Sequence, residues 1–334
     1  MINTSKKTRL SDGIKIGSCE IRTKVLLAPM SGCTDLPFRL IAREHGAKFC
    51  FFEMIDAHSV THHRQKTFAM LKTLEPDQPI ALQLLGNDPQ IILSAAKTIL
   101  PFTKAAFVDI NAACPAKKVM KKRAGAYLLK DRDMLCETIK LMASSLSVPV
   151  TVKIRLGYED ETLADIAHLA KRCESSGASA IFIHGRTRLQ RYSGKVNYEA
   201  IRAVKDSVKI PVVGSGDVLS AQLAKKMFTE TGCDAILVAR GSLGNPWIFN
   251  EIEDYLRDGA LPAPRDLSEI KTAAKRHLSY MHKHMECSEQ GKLGVMRKVI
   301  LWYIRSFPRA RSMRGEISLV KSYEKMLKLI DSFK

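Results

Sequence analysis

The sequence predicts a (β/α)8 barrel followed by a small all-helical domain. Eight short apolar runs rich in β-branched residues recur at 25–30, 47–55, 79–86, 106–111, 148–156, 178–184, 210–214 and 233–239. Most are near-continuously apolar, as expected of parallel strands covered on both faces. The segments between them are long enough for one helix each, for example 162–175 and 220–229. Eight βα units in about 250 residues fit a TIM barrel. A doubly wound sheet is the alternative, but no Gly-x-Gly-x-x-Gly turn follows the first run. After Trp247-Ile-Phe the strand pattern stops. An acidic helix leads into Asp258-Gly-Ala-Leu-Pro-Ala-Pro-Arg265, where two prolines and a glycine mark a linker. Helical periodicity over 267–285, 292–306 and 314–332 follows. The expected domains are a barrel over 1–258 and a basic helical domain over 259–334.

Composition narrows the partners. At 334 residues and 46% hydrophobic content, the chain can bury a sizeable core. Its formal charge of +19 points to something anionic. The excess is clustered: residues 260–334 hold 16 Lys and Arg against 7 Asp and Glu, and residues 115–132 hold seven against one. A solvated basic surface is the bland explanation; two separate clusters favour nucleic acid. Eight cysteines, none in a Cys-x-x-Cys pair, exclude a zinc knuckle and a thioredoxin-like motif. The opening Met1-Ile-Asn-Thr-Ser-Lys-Lys is polar, so no secretory leader is expected, and the thiols are read as reduced in a cytoplasmic protein. No apolar run reaches the ~18 residues of a membrane span, so no membrane partner is expected. His58, His62 and His63 lack any ligand motif and read as a polar helix face, so no metal is expected.

Barrel chemistry sits at the C-terminal ends of the strands, so the residues there are taken together. The first run ends in Ala28-Pro-Met-Ser-Gly-Cys-Thr-Asp35. The third supplies Gln83, the fourth Asn111 and Cys114, the fifth Lys153 and Arg155. The sixth ends in His184-Gly-Arg-Thr-Arg188, the seventh in Gly214-Ser-Gly-Asp217, the eighth in Ala239-Arg-Gly-Ser-Leu-Gly244. Two glycine-rich turns after the last two strands are where this fold holds a phosphate on backbone N–H groups. Arg240 can add a bidentate contact. A phosphorylated cofactor in the mouth is the expectation. Lys153 has apolar flanks that send its side chain into the pocket, to stabilise a reduced flavin or to form a Schiff base. Gln83 can donate and accept, which suits the edge of a flavin pyrimidine ring. His184 is read equally as a structural histidine or a direct contact.

Cys114 is the candidate acid. Most cysteines of such a protein are inert packing groups. This one follows a strand end, precedes Pro115 and lies near Lys117 and Lys118, whose charge makes its proton more available. Cys33, in the first strand-end loop, is the nearest rival.

Read together, the segments LAPMSGCTDLPFR, ALQLLGNDP, DINAACPAKKV, VKIRLG, IHGRTR, PVVGSGDV and LVARGSLGNPWIF resemble the tRNA-dihydrouridine synthase family, most closely its bacterial B type. They run in family order from residue 26 to 249, with a family-like helical region behind them. The resemblance implies an FMN-bearing barrel, a helical tRNA-binding domain and reduction of particular uridines in tRNA with NADPH. It implies that Ala28, Pro29 and Met30 cradle the flavin ring and that Gln83 and Lys153 contact it. His184, Ser215-Gly216-Asp217 and Ala239-Arg240 fall to the cofactor and its phosphate. Cys114 is matched to the proton donor and Asn111 to a substrate-facing residue. Lys117, Lys118, Arg123, Arg155, Arg186 and Arg188 are assigned to the RNA, and the protein is expected to be a monomer. Two positions depart from the family pattern: Ala113 stands where Gly is common and Ser215 where Asn is common.

Two other functions compete. An FMN barrel acting on a free pyrimidine or another small molecule would not need the basic tail. A non-catalytic RNA-binding barrel would not need Gln83, Cys114 and Lys153 together.

Overall fold

The computed structural model describes residues 13–305, 307 and 310–333. The polar opening at 1–7 and residue 306 of the expected helix over 292–306 lie outside the described residues. An antiparallel hairpin, β1 (Ile14–Ile16) and β2 (Cys19–Ile21), comes first. Eight parallel strands follow: β3 (Val25–Leu27), β4 (Cys50–Asp56), β5 (Ile80–Leu85), β6 (Val108–Ala112), β7 (Val150–Arg155), β8 (Ile181–His184), β9 (Val212–Ser215) and β10 (Ala235–Val238). From β4 to β10 each strand pairs with the next in sequence, and β10 returns to pair with β3. Across the seam between β3 and β4, Leu27 N–H donates to Phe49 C=O at 3.0 Å. The barrel expected from eight apolar runs is the fold observed, each strand lying within its run to about two residues.

The helices start where the sequence offers an acceptor to the orphan N–H groups of a first turn. Thr162 and Asp165 form a reciprocal capping box at the start of the helix Leu163–Ser175. Ser220 caps Ala221–Thr231 and Asp35 caps Leu36–Glu44. One core lies between these helices and the outer face of the sheet. A second fills the barrel's lower interior, where Phe49, Phe51, Phe107 and Phe182 pack with ring centroids 5.4–6.1 Å apart. Ile14, Ile16 and Ile21 of the hairpin join this cluster and plug the floor. The hairpin was not legible as strands because each is three residues long.

Residues 259–266 carry neither helix nor strand. Helices Leu267–His284, Glu289–Tyr303, Ala310–Leu319 and Tyr323–Ser332 then pack around their own core of Leu278, Met281, Met296, Ile300, Met326 and Ile330. The single helix expected over 314–332 is two, because Ser322 turns the chain and caps the second one by accepting from Lys325 N–H. The helical region is docked on the barrel as well as tethered. Phe38 meets His277 and Trp302 edge-on at 5.7 and 6.0 Å, and Arg276 bonds Glu44 at 2.8 Å.

Candidate active site

A cavity of about 640 Å³ opens at the C-terminal ends of the strands. Its one acid is Asp217, against Lys117, Lys118, Lys153, Arg155, Arg191 and Arg240. An anion is therefore drawn toward it. In-register pairing sets the inner wall. Gln83, Asp109 and Thr151 face each other across β5, β6 and β7; Asn111 pairs with Lys153, and Arg155 with His184 and, through it, Ser215.

Cys114 sits at the rim on a turn held from below. Asn111 Oδ1 accepts the backbone N–H of Ala113 at 3.0 Å and of Cys114 at 2.9 Å. From above, Ala126 N–H donates to Cys114 C=O at 3.1 Å. Gly125 permits this approach: a Cβ there would lie 2.8 Å from that carbonyl oxygen, and its φ is +64°. Burial pushes the Cys114 thiol above its ordinary value, and the Ala116 N–H with Arg155, Lys118 and Lys153 only partly offsets this. The cations expected to loosen its proton are outweighed by desolvation, so the thiol stays protonated at neutral pH. Ala113, where Gly is common in the family, is not among the described residues with positive φ, so its methyl is accommodated.

Lys153 lies deeper. Burial and Arg155 pull its ammonium down, while Asp109 and Cys114 act the other way. On the neighbouring strand, His184 is held neutral by burial and by Arg155, Lys153, Arg186 and Arg240; its buried Nδ1 has no hydrogen-bond partner. At the far side Gly216 (φ +130°) and Asp217 (φ +49°) make a turn whose carboxylate bridges two arginines. Arg240 reaches Asp217 at 2.6 Å, and Arg186 binds the same group through both terminal nitrogens. The Arg186 hydrogen bond leads in holding that carboxyl below its usual range.

The family model for dihydrouridine synthase (Dus) matches residues 26–334. The chain belongs to the dihydrouridine synthase family. As a member of it the chain is an oxidoreductase. This Dus chain is 36% identical over 305 residues to tRNA-dihydrouridine synthase B of Pseudomonas aeruginosa, covering 91% of each. It is 33% identical over 320 residues to tRNA-dihydrouridine synthase B of Vibrio vulnificus, covering 96% of this chain and 98% of the relative. Among solved structures, the old yellow enzyme of Trypanosoma cruzi superposes with a TM-score of 0.55 at 15% identity, over 77% of this chain and 94% of that one. Histamine dehydrogenase from Rhizobium sp. 4-9 gives 0.59 at 14% identity, over 81% and 51%. These two likenesses carry the barrel fold.

In the Dus chain most residues singled out from the sequence line the one cavity: Ala28, Pro29, Met30, Gln83, Asn111, Cys114, Lys117, Lys118, Lys153, Arg155, His184, Ser215, Gly216, Asp217, Ala239 and Arg240. Arg123, Arg186 and Arg188 do not. Arg123 is exposed beyond the rim, Arg188 stacks on Tyr158 at 4.6 Å, and Arg186 is buried against Asp217. Arg155 lines the cavity, yet its guanidinium is spent on the carbonyls of Ala113, Thr187 and Arg191 at 2.7–3.0 Å. It braces the turn that carries Cys114 against the loop after β8. Met30 has both backbone groups engaged by Thr34, so it offers its side chain rather than its N–H. Sequence reasoning missed Met54, Asp109 and Tyr192. A register shift in β4 between Phe51 and Met54 turns Met54 inward. Tyr192 sits in an irregular loop beneath Arg155 and Arg240, where no periodicity marks it.

Proposed function

We propose that the chain reduces particular uridines of tRNA to 5,6-dihydrouridine, with FMN in the barrel mouth and NADPH as reductant. The observation that carries this reading is a half-buried thiol at the rim of a cationic cavity. The residues present fit a flavin nucleotide. His184 Nδ1 is an orphaned buried polar atom, the turn at 215–217 closes on Arg240, and Gln83 offers both a donor and an acceptor. Lys153 would stand beside the ring and Pro29 and Met30 against it, with the phosphate on Ser215, Gly216, Ala239 and Arg240. Asp217 would act by orienting Arg240, since a carboxylate repels a phosphate.

When bound and reduced, the flavin supplies the hydride that adds to uracil C6. Everything else falls to the protein. Cys114 Sγ gives its proton to C5, and burial keeps that proton on sulfur until the base arrives. Asn111 and Arg155 hold the turn that aims the thiol. The target base must leave its stack to reach a cavity this deep. Lys117 and Lys118 at the rim, Arg123 beyond it and the basic helical domain over 259–334 would hold the phosphate backbone outside the cavity. The same reading makes the protein cytoplasmic and monomeric.

The test is a purified, full-length preparation. It is expected to be yellow, and its NADPH-reduced flavin is expected to be reoxidised by unmodified tRNA with formation of dihydrouridine. Reoxidation by a free pyrimidine and not by tRNA would favour the small-molecule enzyme. A preparation without flavin that binds tRNA would leave only the binding module.

A further inference from the structure

One buried charge has no part in that chemistry. Asp109, on β6, is fully buried. Its Oδ2 accepts from Gln83 Nε2 and its Oδ1 from Thr151 Oγ1, both at 2.7 Å. Gln83 Oε1 in turn accepts from Asn111 Nδ2 at 2.7 Å, and Asn111 Oδ1 accepts the N–H groups of Ala113 and Cys114.

The polarity of this chain is forced at both ends. A backbone N–H can only donate, so the Asn111 oxygen must face the Cys114 turn and its nitrogen must face Gln83. That turns the Gln83 oxygen toward Asn111 and its nitrogen toward Asp109. The carboxylate, an acceptor, closes the sequence. Three donors in succession thus point from the thiol's own backbone down to one carboxyl group, an arrangement in which each hydrogen bond polarises the next. Replacing the carboxylate by a group that cannot accept would leave Gln83 Nε2 unpartnered and the sequence unanchored at that end.

We propose that Asp109 is a positioning residue, the anchoring acceptor of a relay through Gln83 and Asn111 that fixes the turn carrying Cys114. Because this deepens the assignment of Cys114, it rests on the proposed function for its meaning, but its test does not. Burial pushes the Asp109 carboxyl up to about 7, while the hydrogen bonds from Gln83 and Thr151 and the Lys153 ammonium on the neighbouring strand act the other way.

The experiment reads the alkylation rate of each cysteine by iodoacetamide, by peptide mass spectrometry, in the full-length protein as purified. Wild type is compared with Asp109→Asn, Asp109→Leu, Gln83→Leu and the double variant Asp109→Leu with Gln83→Leu. Loss of the anchor is expected to raise the Cys114 rate about tenfold in Asp109→Leu and about threefold in Asp109→Asn, which keeps the shape and one acceptor. The double variant is expected to react no faster than Gln83→Leu alone, because residues acting through one chain are not additive. Rates multiplying in the double variant, or a wild-type rate at Cys114 in Asp109→Asn, overturn the proposal. An equal rise at the buried Cys50, Cys173 and Cys233 also overturns it, because that is general loosening. If Asp109→Leu does not fold, the same cycle is run with Asp109→Asn. Neither flavin turnover nor RNA enters this measurement. Absence of flavin from the preparation would refute the proposed function and leave the relay standing, whereas unchanged thiol rates in an active enzyme would refute only the relay.

Discussion

The same strands build two unlike layers inside this barrel, one pleat apart. Toward the floor Phe49, Phe51, Phe107 and Phe182 form a dry aromatic cluster. Toward the mouth the inward positions are Gln83, Asp109, Asn111, Lys153, Arg155 and His184. Phe107 leads to Asp109 and then Asn111 along one strand; Phe182 leads to His184 along another. Because side chains alternate with period two, every second residue faces the interior, and the chain can change its chemistry within about 7 Å of strand. The floor holds the barrel shut by apolar burial. The mouth accepts buried charge because each charge has an oppositely charged or hydrogen-bonding neighbour. Stability and chemistry are therefore separable in this molecule, and substitutions in the two layers should fail in different ways.

The largest effect is expected in the mouth. Cys114→Ala should slow uracil reduction by about 10²–10⁴, the usual worth of a positioned proton donor, while NADPH still reduces the flavin at close to the normal rate. Single-turnover measurement of the two half-reactions checks this; an unchanged second half-reaction would pass the role to Cys33. Burial raises the Cys114 pKa above the ordinary 9.0, so the thiol keeps its proton through neutral pH. The alkaline fall in uracil reduction is expected above that value and should vanish in Cys114→Ala.

Next comes the floor. Phe107→Ala should cost about 3–5 kcal/mol of stability by leaving a cavity among three other phenyl rings. Urea unfolding of both proteins reads it, and cofactor reduction per folded molecule should be unchanged. Altered reduction without altered stability would mean that the two layers are not independent.

Smaller still is Lys153→Met, which keeps the shape of the mouth and removes its deepest cation. Flavin reduction is expected to slow about 10²-fold with little change in the unfolding midpoint. Potentiometric titration with the cofactor fully bound checks the cause: a lowered reduction potential is expected, and an unchanged one would place the ammonium away from the ring.

The smallest effects belong to the rim. Charge reversal at Lys117 and Lys118 should reduce the salt dependence of tRNA binding by about one unit of slope for each lost phosphate contact. Binding measured at several salt concentrations decides this. Deleting residues beyond 262 should remove more of the RNA affinity than either reversal. It also uncovers Phe38, so the remaining barrel is expected to be less stable as well as weaker in binding.

The eight barrel strands, their order along the chain and the helical appendage were readable from the sequence because they rest on local pattern. Continuous apolar runs say buried parallel strand, and Thr162, Ser220 and Asp35 say helix start, whatever lies around them. The glycine-rich ends of β9 and β10 and the cysteine after β6 were legible for the same reason, since strand ends are local. Asp109 was not. Within Val108-Asp-Ile its carboxylate is an exception to an apolar run, and its partners Gln83 and Thr151 are 26 and 42 residues away. Arg155 and Arg186 read as cations for RNA, because a sequence cannot say that a guanidinium is already spent on three carbonyls or on Asp217. The protonation of Cys114 was likewise decided in three dimensions. Sequence supplies the nearby lysines, but burial, which exists only once the barrel has closed, outweighs them.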